Sequence, residues 1–467
     1  MSGKQQAMQG GVVVPHPPLI LPNIGKGEEK KIEDITTAYQ LAMDTVKNMD
    51  ADTIVIVTPH APSYMDYIQL TAPAVSKGDM AQFNDPMDRF VIRNDVELVK
   101  EMERLAKAAN FPMGTLGKQD GGLDHATMVP LYFMKDFAND KKIVRMSIGG
   151  LSNFDHYKAG KILEQAAQNL GRRIAVVSSS DLSHCQKPGP GYGYKECGPK
   201  YDAKFMELIS EGNFKDLVEM PEKVAEEAMV CGHKPMCVLA GALDGLQPEI
   251  DALAHSAVFG VGYGIATFTN PKPAESRKFE QQIQDDLDQA LRDRLAKEDD
   301  YIRLARDTVN SFVLEGKLPS KPDNLPKEMT DQQAGVFVSL HENGQLRGCI
   351  GTTTPTTPSI ADEIRQNAIS ACSRDPRFYP VQPDELNQLE ISVDVLKEPE
   401  PCTFDDLDVK KYGVIVTKGN KRGLLLPNLD GVDTPEQQVA IAKQKAGLKE
   451  TEPGCSLERF EVIRHEV

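Results

Sequence analysis

The chain has no tryptophan, few aromatic residues (6%) and no two cysteines separated by two residues. The last absence excludes a zinc ribbon and a thioredoxin-type redox motif, which need two thiols on one tight turn. Its eight cysteines, at 185, 197, 231, 237, 349, 372, 402 and 455, are scattered instead. Long apolar runs are also missing, so no stretch approaches a membrane span. Positive charge is in deficit: 53 Lys and Arg against 69 Asp and Glu leave a net charge of −16. That balance argues against nucleic acid or an anionic membrane as the main partner. The start, MSGKQQAMQGG, is polar and glycine-rich and shows no secretory signal. A cytoplasmic protein with reduced thiols is expected, and a homo-oligomer is compatible with this composition.

What is present fits a soluble globular protein, 40% hydrophobic and 26% charged. A length of 467 residues exceeds one ordinary core and predicts two or three domains. After a lead-in over 1–10, GVVVP (11–15), TIVIVTP (53–59), KIVRMSI (142–148) and RIAVVSSSD (173–181) read as buried strands. A weaker β stretch falls at 67–75. Helical spacing is seen at 28–48, 95–109, 155–170, 201–210 and 233–246, with a terminal strand or hairpin at 257–268. Gly- and Pro-rich stretches at 116–131 and 187–198 read as loops. This alternation predicts an α/β domain over 1–270 with a mixed, largely parallel sheet flanked by helices. A charged helical linker is expected at 271–297. Residues 298–467 then read as a second, α+β domain with a mostly antiparallel sheet.

Four pieces of the first domain concentrate chemistry. His16 in PHPP and His60 in TPHAP each follow a predicted strand. SSSDLSH (178–184) places Asp181 and His184 past a third strand, and EEAMVCGHKP (226–235) brings Glu226, Glu227, Cys231 and His233 within eight residues. Parallel strands would bring His16 and His60 to one sheet edge, where open α/β sheets place ligands. Neutral imidazoles held in fixed directions there can bind a divalent metal. Each could equally be a satisfied loop histidine. His156 and His255 read as surface or core residues.

HPPLILP, TPH, LDHATMVPL, SSDLSH and CGHKP, in this order, resemble the LigB-type class III extradiol ring-cleavage dioxygenases, and still more their Memo-like branch. The resemblance spans about residues 10–270. It implies a mononuclear non-haem Fe(II) held by two histidines, His16 and His60, and a carboxylate, with open positions for a catechol-like or phenolic substrate and O2. It also implies that His125 and His184 move protons. This chain departs from the dioxygenases at the third ligand, where Cys231 stands as in the Memo-like branch. A thiolate is compatible with Fe(II), Cu or Zn. Glu226 or Glu227 could ligate instead, and Asp181 could reach the metal or orient His184. A buried structural thiol is the alternative for Cys231.

In the second domain, LRGCIGT (346–352), SRDPRFYPV (373–381) and KRGLLLP (421–427) resemble an AMMECR-type domain over about 298–467. Cys349 reads as a nucleophile or thiol carrier, or as a buried strand thiol. Arg347, Arg374, Arg377 and Arg422 could gather into an anion-binding patch. The two resemblances together match two parts of the AmmeMemoRadiSam system, whose third part is a radical SAM enzyme. Three functions follow: an extradiol-type oxidoreductase, a non-dioxygenase metal-binding or redox partner of a radical SAM enzyme, or a scaffold that reuses both folds for interaction.

Overall fold

A computed structural model describes residues 6–119, 121–189, 191–342, 345–429 and 431–467. The chain forms two compact units, one up to Leu287 and one over Asp288–Val467.

The first unit is built on β1 (Met8–Val14), β2 (Thr53–Thr58), β3 (Lys142–Ser147), β4 (Ile174–Ser179), β5 (Leu246–Ser256) and β6 (Tyr263–Pro273). These strands form one sheet in the order β3-β2-β4-β1-β6-β5. The first four are parallel, and β6 is antiparallel to both β1 and β5. β2 and β4 are buried along their whole length, as parallel strands covered on both faces must be. Alternate side chains enter opposite cores: Val55 and Val57 face one, Ile54 and Ile56 the other.

Helices α1 (Glu33–Asn48), α2 (Val96–Ala108), α3 (His125–Phe133), α4 (Asn153–Leu170), α5 (Cys197–Glu211) and α6 (His233–Ala242) cover the sheet. α1 and α3 contribute to one core, and α2, α4, α5 and α6 to the other. α4 begins at a reciprocal Ser152–Asp155 capping box and ends at Gly171, whose φ of 61° is left-handed. α4 and α6 approach so closely that a methyl group at Gly241 would collide with the Tyr157 carbonyl oxygen.

Register fixes where the functional loops emerge. Val14 pairs with Ser179 and Val57 with Ser178, so β1, β2 and β4 end level with one another. His16, His60, Asp181 and His184 therefore leave the sheet along one edge.

Several local expectations change. β1 begins at Met8, inside the expected lead-in, while residues 1–5 lie outside the described residues. Much of the expected loop at 116–131 is helix from His125 onward, because Asp124 caps the turn and Pro130 sits inside a nine-residue helix. Asp120 of that stretch, like Pro190 of the next loop, is outside the described residues. The stretch at 67–75 holds the short strand Ile68–Gln69 and the first residue of another, Val75–Met80, which forms a hairpin with Asp85–Arg93. The helix expected over 233–246 ends at Ala242, and Leu246 opens β5.

In the second unit, one antiparallel sheet orders Gln345–Gly351, Val336–Glu342, Leu389–Leu396 and Val462–His465. A second orders Glu400–Cys402, Ser456–Phe460, Gly413–Lys418 and Lys421–Leu425. Helices Asp300–Glu315 and Ile360–Ser373 pack on the first sheet, and their apolar faces form its core with Val338 and Val393.

Candidate metal centre

His16 is the innermost of the strand-end residues, 1% exposed. Its backbone N–H donates to Asp181 Oδ1 at 2.7 Å, and its Nδ1 lies 3.0 Å from Ser179 Oγ. The Ser179 hydroxyl donates its single hydrogen to the Ala126 carbonyl at 2.6 Å. His16 Nδ1 must then carry the proton toward Ser179, and its Nε2 presents a lone pair. Burial and the neighbouring histidines push the His16 pKa well below its ordinary value, so the ring is neutral.

That lone pair faces two further donor atoms. His60 Nε2 lies 3.1 Å away and Cys231 Sγ 3.5 Å away. The three atoms lie within 4.8 Å of one another. Around a tetrahedral ion, imidazole bonds of about 2.0–2.1 Å and a thiolate bond of about 2.3 Å put neighbouring donors roughly 3.3 Å (N to N) and 3.6 Å (N to S) apart. The two spacings from His16, the neutral imidazoles and the softness of sulfur suit a transition-metal ion such as Fe(II), Cu or Zn, while His60 and Cys231 are held only within 4.8 Å of each other. Burial, then Asp181, raises the Cys231 thiol well above its usual range, so an ion must displace its proton. His60 is exposed, and the cluster meets solvent on that side. Partial desolvation of its ring inside the cluster, then the neighbouring His125, brings the His60 pKa down to about 4.

Two more histidines border the cluster. The His125 ring stacks on His60 at 4.4 Å and lies 5.6 Å from His16. His184 Nδ1 donates to the Met229 carbonyl at 2.6 Å, which leaves its Nε2 as an acceptor. Burial lowers the pKa of both, so both are neutral bases near pH 7. Phe83 packs edge-on against His125 and Tyr192 against His184, at 5.5 and 5.4 Å. Asp181 Oδ2 is 3.8 Å from His16 Nε2, and burial pushes its pKa up to about 7.

Other candidates lie apart. Glu226 and Glu227 are exposed on the short helix Glu222–Glu227 and do not join the cluster. The helix ends before the buried turn at Ala228, and of Glu226, Glu227 and Cys231 only Cys231 joins the cluster. His233 is structural: Tyr201 Oη bonds its Nδ1 at 2.7 Å and the Leu217 carbonyl its Nε2 at 3.0 Å. His156 is fully buried, its Nδ1 donating to Ser152 O and its Nε2 accepting from Gly149 N–H. His255 bonds Asp202 at 2.8 Å.

In the second unit, Cys349 is half-buried, with the Ser339 hydroxyl 3.2 Å from its sulfur and its N–H donating to Asp375. The expected basic patch is largely neutralised. Arg347 pairs with Glu385 at 2.6 Å and Arg377 with Asp375 at 2.7 Å, while Arg422 lies 3.7 Å from Glu458. Ser179, Thr58 and Asp124, which bond to the histidine-bearing segments, are not singled out as functional by any of the sequence motifs above. Only the position of Asp124 directly before His125, as a helix cap, gave a signal.

Residues 10–266 match the family described as the catalytic LigB subunit of aromatic ring-opening dioxygenase, and residues 302–465 match AMMECR1. A protein of Clostridium acetobutylicum is 37% identical over 470 residues, covering 98% of this chain and 99% of its own. A shorter protein of Thermotoga maritima is 49% identical over 167 residues, 35% of this chain and 96% of its own length. A Methanosarcina barkeri protein is 42% identical over 147 residues, 28% of this chain and 72% of its own. The chain belongs to the family of the catalytic LigB subunit of aromatic ring-opening dioxygenases, with an AMMECR1 domain joined to it in the same polypeptide.

Proposed function

We propose that the first unit is a metal-dependent oxidoreductase of the class III extradiol type, acting on a catechol-like or related phenolic molecule. The observation that carries the reading is the convergence of His16 Nε2, His60 Nε2 and Cys231 Sγ at the carboxyl edge of parallel strands. These residues would hold Fe(II), with Cu or Zn as alternatives. A bound ion with three protein ligands would supply open positions for the substrate oxygens and O2 and polarise them. His184 Nε2 and the His125 ring, both neutral, accept protons from the phenolic hydroxyls and return them to product. Asp181 holds the His16 backbone, and Phe83 and Tyr192 offer aromatic surface beside the two bases.

Oxygen consumption by anaerobically loaded Fe(II) protein across a panel of catechols tests this reading. Uptake that depends on both iron and a diol supports it. Metal binding without uptake on any diol transfers support to the second reading, a metal-binding or redox partner of a radical SAM enzyme. Cys231 favours that alternative, since sulfur replaces the carboxylate expected of a ring-cleaving site. The eight unpaired cysteines suit a reducing cytoplasm for either function.

A further inference from the structure

His16 and His60 follow different strands, yet both are tied to one turn of helix. The tie to His16 begins with Pro130. A proline inside α3 has no N–H, so the Ala126 carbonyl, four residues earlier, is left without its helical donor. Ser179, the last residue of β4, donates its hydroxyl to that carbonyl at 2.6 Å. The hydroxyl oxygen is then an acceptor for His16 Nδ1–H at 3.0 Å. A serine without the Ala126 bond could donate to Nδ1 and turn the other tautomer toward the cluster.

The tie to His60 runs through Thr58 and Asp124. The His60 N–H donates to Thr58 Oγ1 at 3.1 Å, and Thr58 Oγ1 donates to Asp124 Oδ1 at 2.7 Å. Asp124 also accepts from the Thr127 N–H and hydroxyl, at 3.0 and 2.8 Å. Capping α3 requires only the Thr127 donors. The Thr58 bond is additional and joins the end of β2 to the start of α3. The same turn bears His125, stacked on His60.

We propose that Ser179 and Asp124 are positioning residues of the metal centre, fixing His16 and His60 to the first turn of the helix that carries His125. The inference rests on the reading of His16, His60 and Cys231 as ligands. Ser179 sets which nitrogen of His16 carries the proton, and Asp124 sets the height of His60 against His125. Neither residue touches the metal position.

Two measurements on the full chain test this. Side-chain ¹⁵N spectra of the metal-free protein should show His16 as the Nδ1–H tautomer. Ser179→Ala should shift it to the Nε2–H form or a mixture, with an unchanged far-ultraviolet dichroism spectrum. Titration with Co(II) should show Ser179→Ala and Asp124→Ala weakened by about 10–100-fold, the range for lost outer-shell partners. Asp124→Asn keeps the Oδ1 acceptor for the Thr58 hydroxyl and the Thr127 N–H and should bind as wild type does. A His16 tautomer that ignores Ser179→Ala overturns the inference. So do wild-type affinities in Ser179→Ala and Asp124→Ala when His16→Ala has lost binding; the ligand reading then stands. Wild-type protein that binds no Co(II), or His16→Ala that binds it as tightly, overturns the ligand reading and the positioning inference with it.

Discussion

Cys231 Sγ stands 3.5 Å from His16 Nε2, at the place where the family resemblance leads one to expect a carboxylate. A thiolate there is the softest donor of the three and shapes metal preference. Cys231→Ser is expected to weaken Zn(II) and Cu(I) by more than the roughly 100-fold that marks the upper range of outer-shell losses. Cys231→Glu should recover Fe(II) binding while Cu(I) binding stays weak. Competition with a chromophoric chelator under anaerobic conditions measures both. Equal Cu(I) affinity in wild type and Cys231→Ser would remove sulfur from the ligand set.

Glu226 and Glu227 are the alternative third ligands read from sequence, and both side chains face solvent. Glu226→Gln/Glu227→Gln should retain full metal content by elemental analysis. A substantial loss would return a carboxylate to the site.

His125 and His184 border the cluster without joining it. His125→Gln and His184→Gln should each keep the metal but lower diol-dependent oxygen uptake by about 10²–10⁴-fold, the range for a lost acid–base group. Joint loss of metal and activity would instead make them ligands.

His156 sits fully buried and neutral, its Nε2 accepting the Gly149 N–H at 3.1 Å. Burial takes its pKa down to about 3 in the folded chain, against about 6.5 when unfolded. The unfolded chain therefore binds the proton first as pH falls. Stability from this group is complete above about pH 6.5 and is lost toward pH 3, by up to roughly 1.4 kcal/mol per pH unit. Urea unfolding between pH 7 and 4 should be less steeply pH-dependent in His156→Gln than in wild type. Parallel curves would contradict the assignment.

Gly241 lets α6 lie against α4. Gly241→Ala must push its methyl against the Tyr157 carbonyl oxygen. Overpacking against backbone should cost about 1–3 kcal/mol or more, read as a lower urea midpoint. Gly171→Ala, with open space around it, should lose only the smaller amount owed to its left-handed backbone.

The strands carrying the site were legible because runs such as TIVIVT are β-branched and buried on both faces. Once the strands are parallel, His16 and His60 must meet at one edge. Less legible were elements that break the simple pattern. LDHATMVPL looked like a loop because glycines precede it and Pro130 interrupts it, yet the Asp124 cap makes it helical. The strand Asp85–Arg93 was missed because most of its side chains are not buried. His233 was a fair ligand candidate by spacing; only the partners of both ring nitrogens, Tyr201 and Leu217, distant in sequence, reveal it as structural. Arg347 and Arg377 read as free charge because Glu385 lies 38 residues from the first, and the side-chain turn joining Asp375 to the second is a matter of rotamer.

The central claim is that His16, His60 and Cys231 bind one metal ion. An anaerobic crystal structure with anomalous scattering measured at the iron, copper and zinc edges tests it most directly. A single peak is expected within bonding distance of His16 Nε2, His60 Nε2 and Cys231 Sγ, with sulfur at about 2.3 Å if the ion is zinc. An ion whose distance to Cys231 Sγ exceeds about 3 Å, well beyond that bond length, or a peak elsewhere with these three atoms empty, would contradict it.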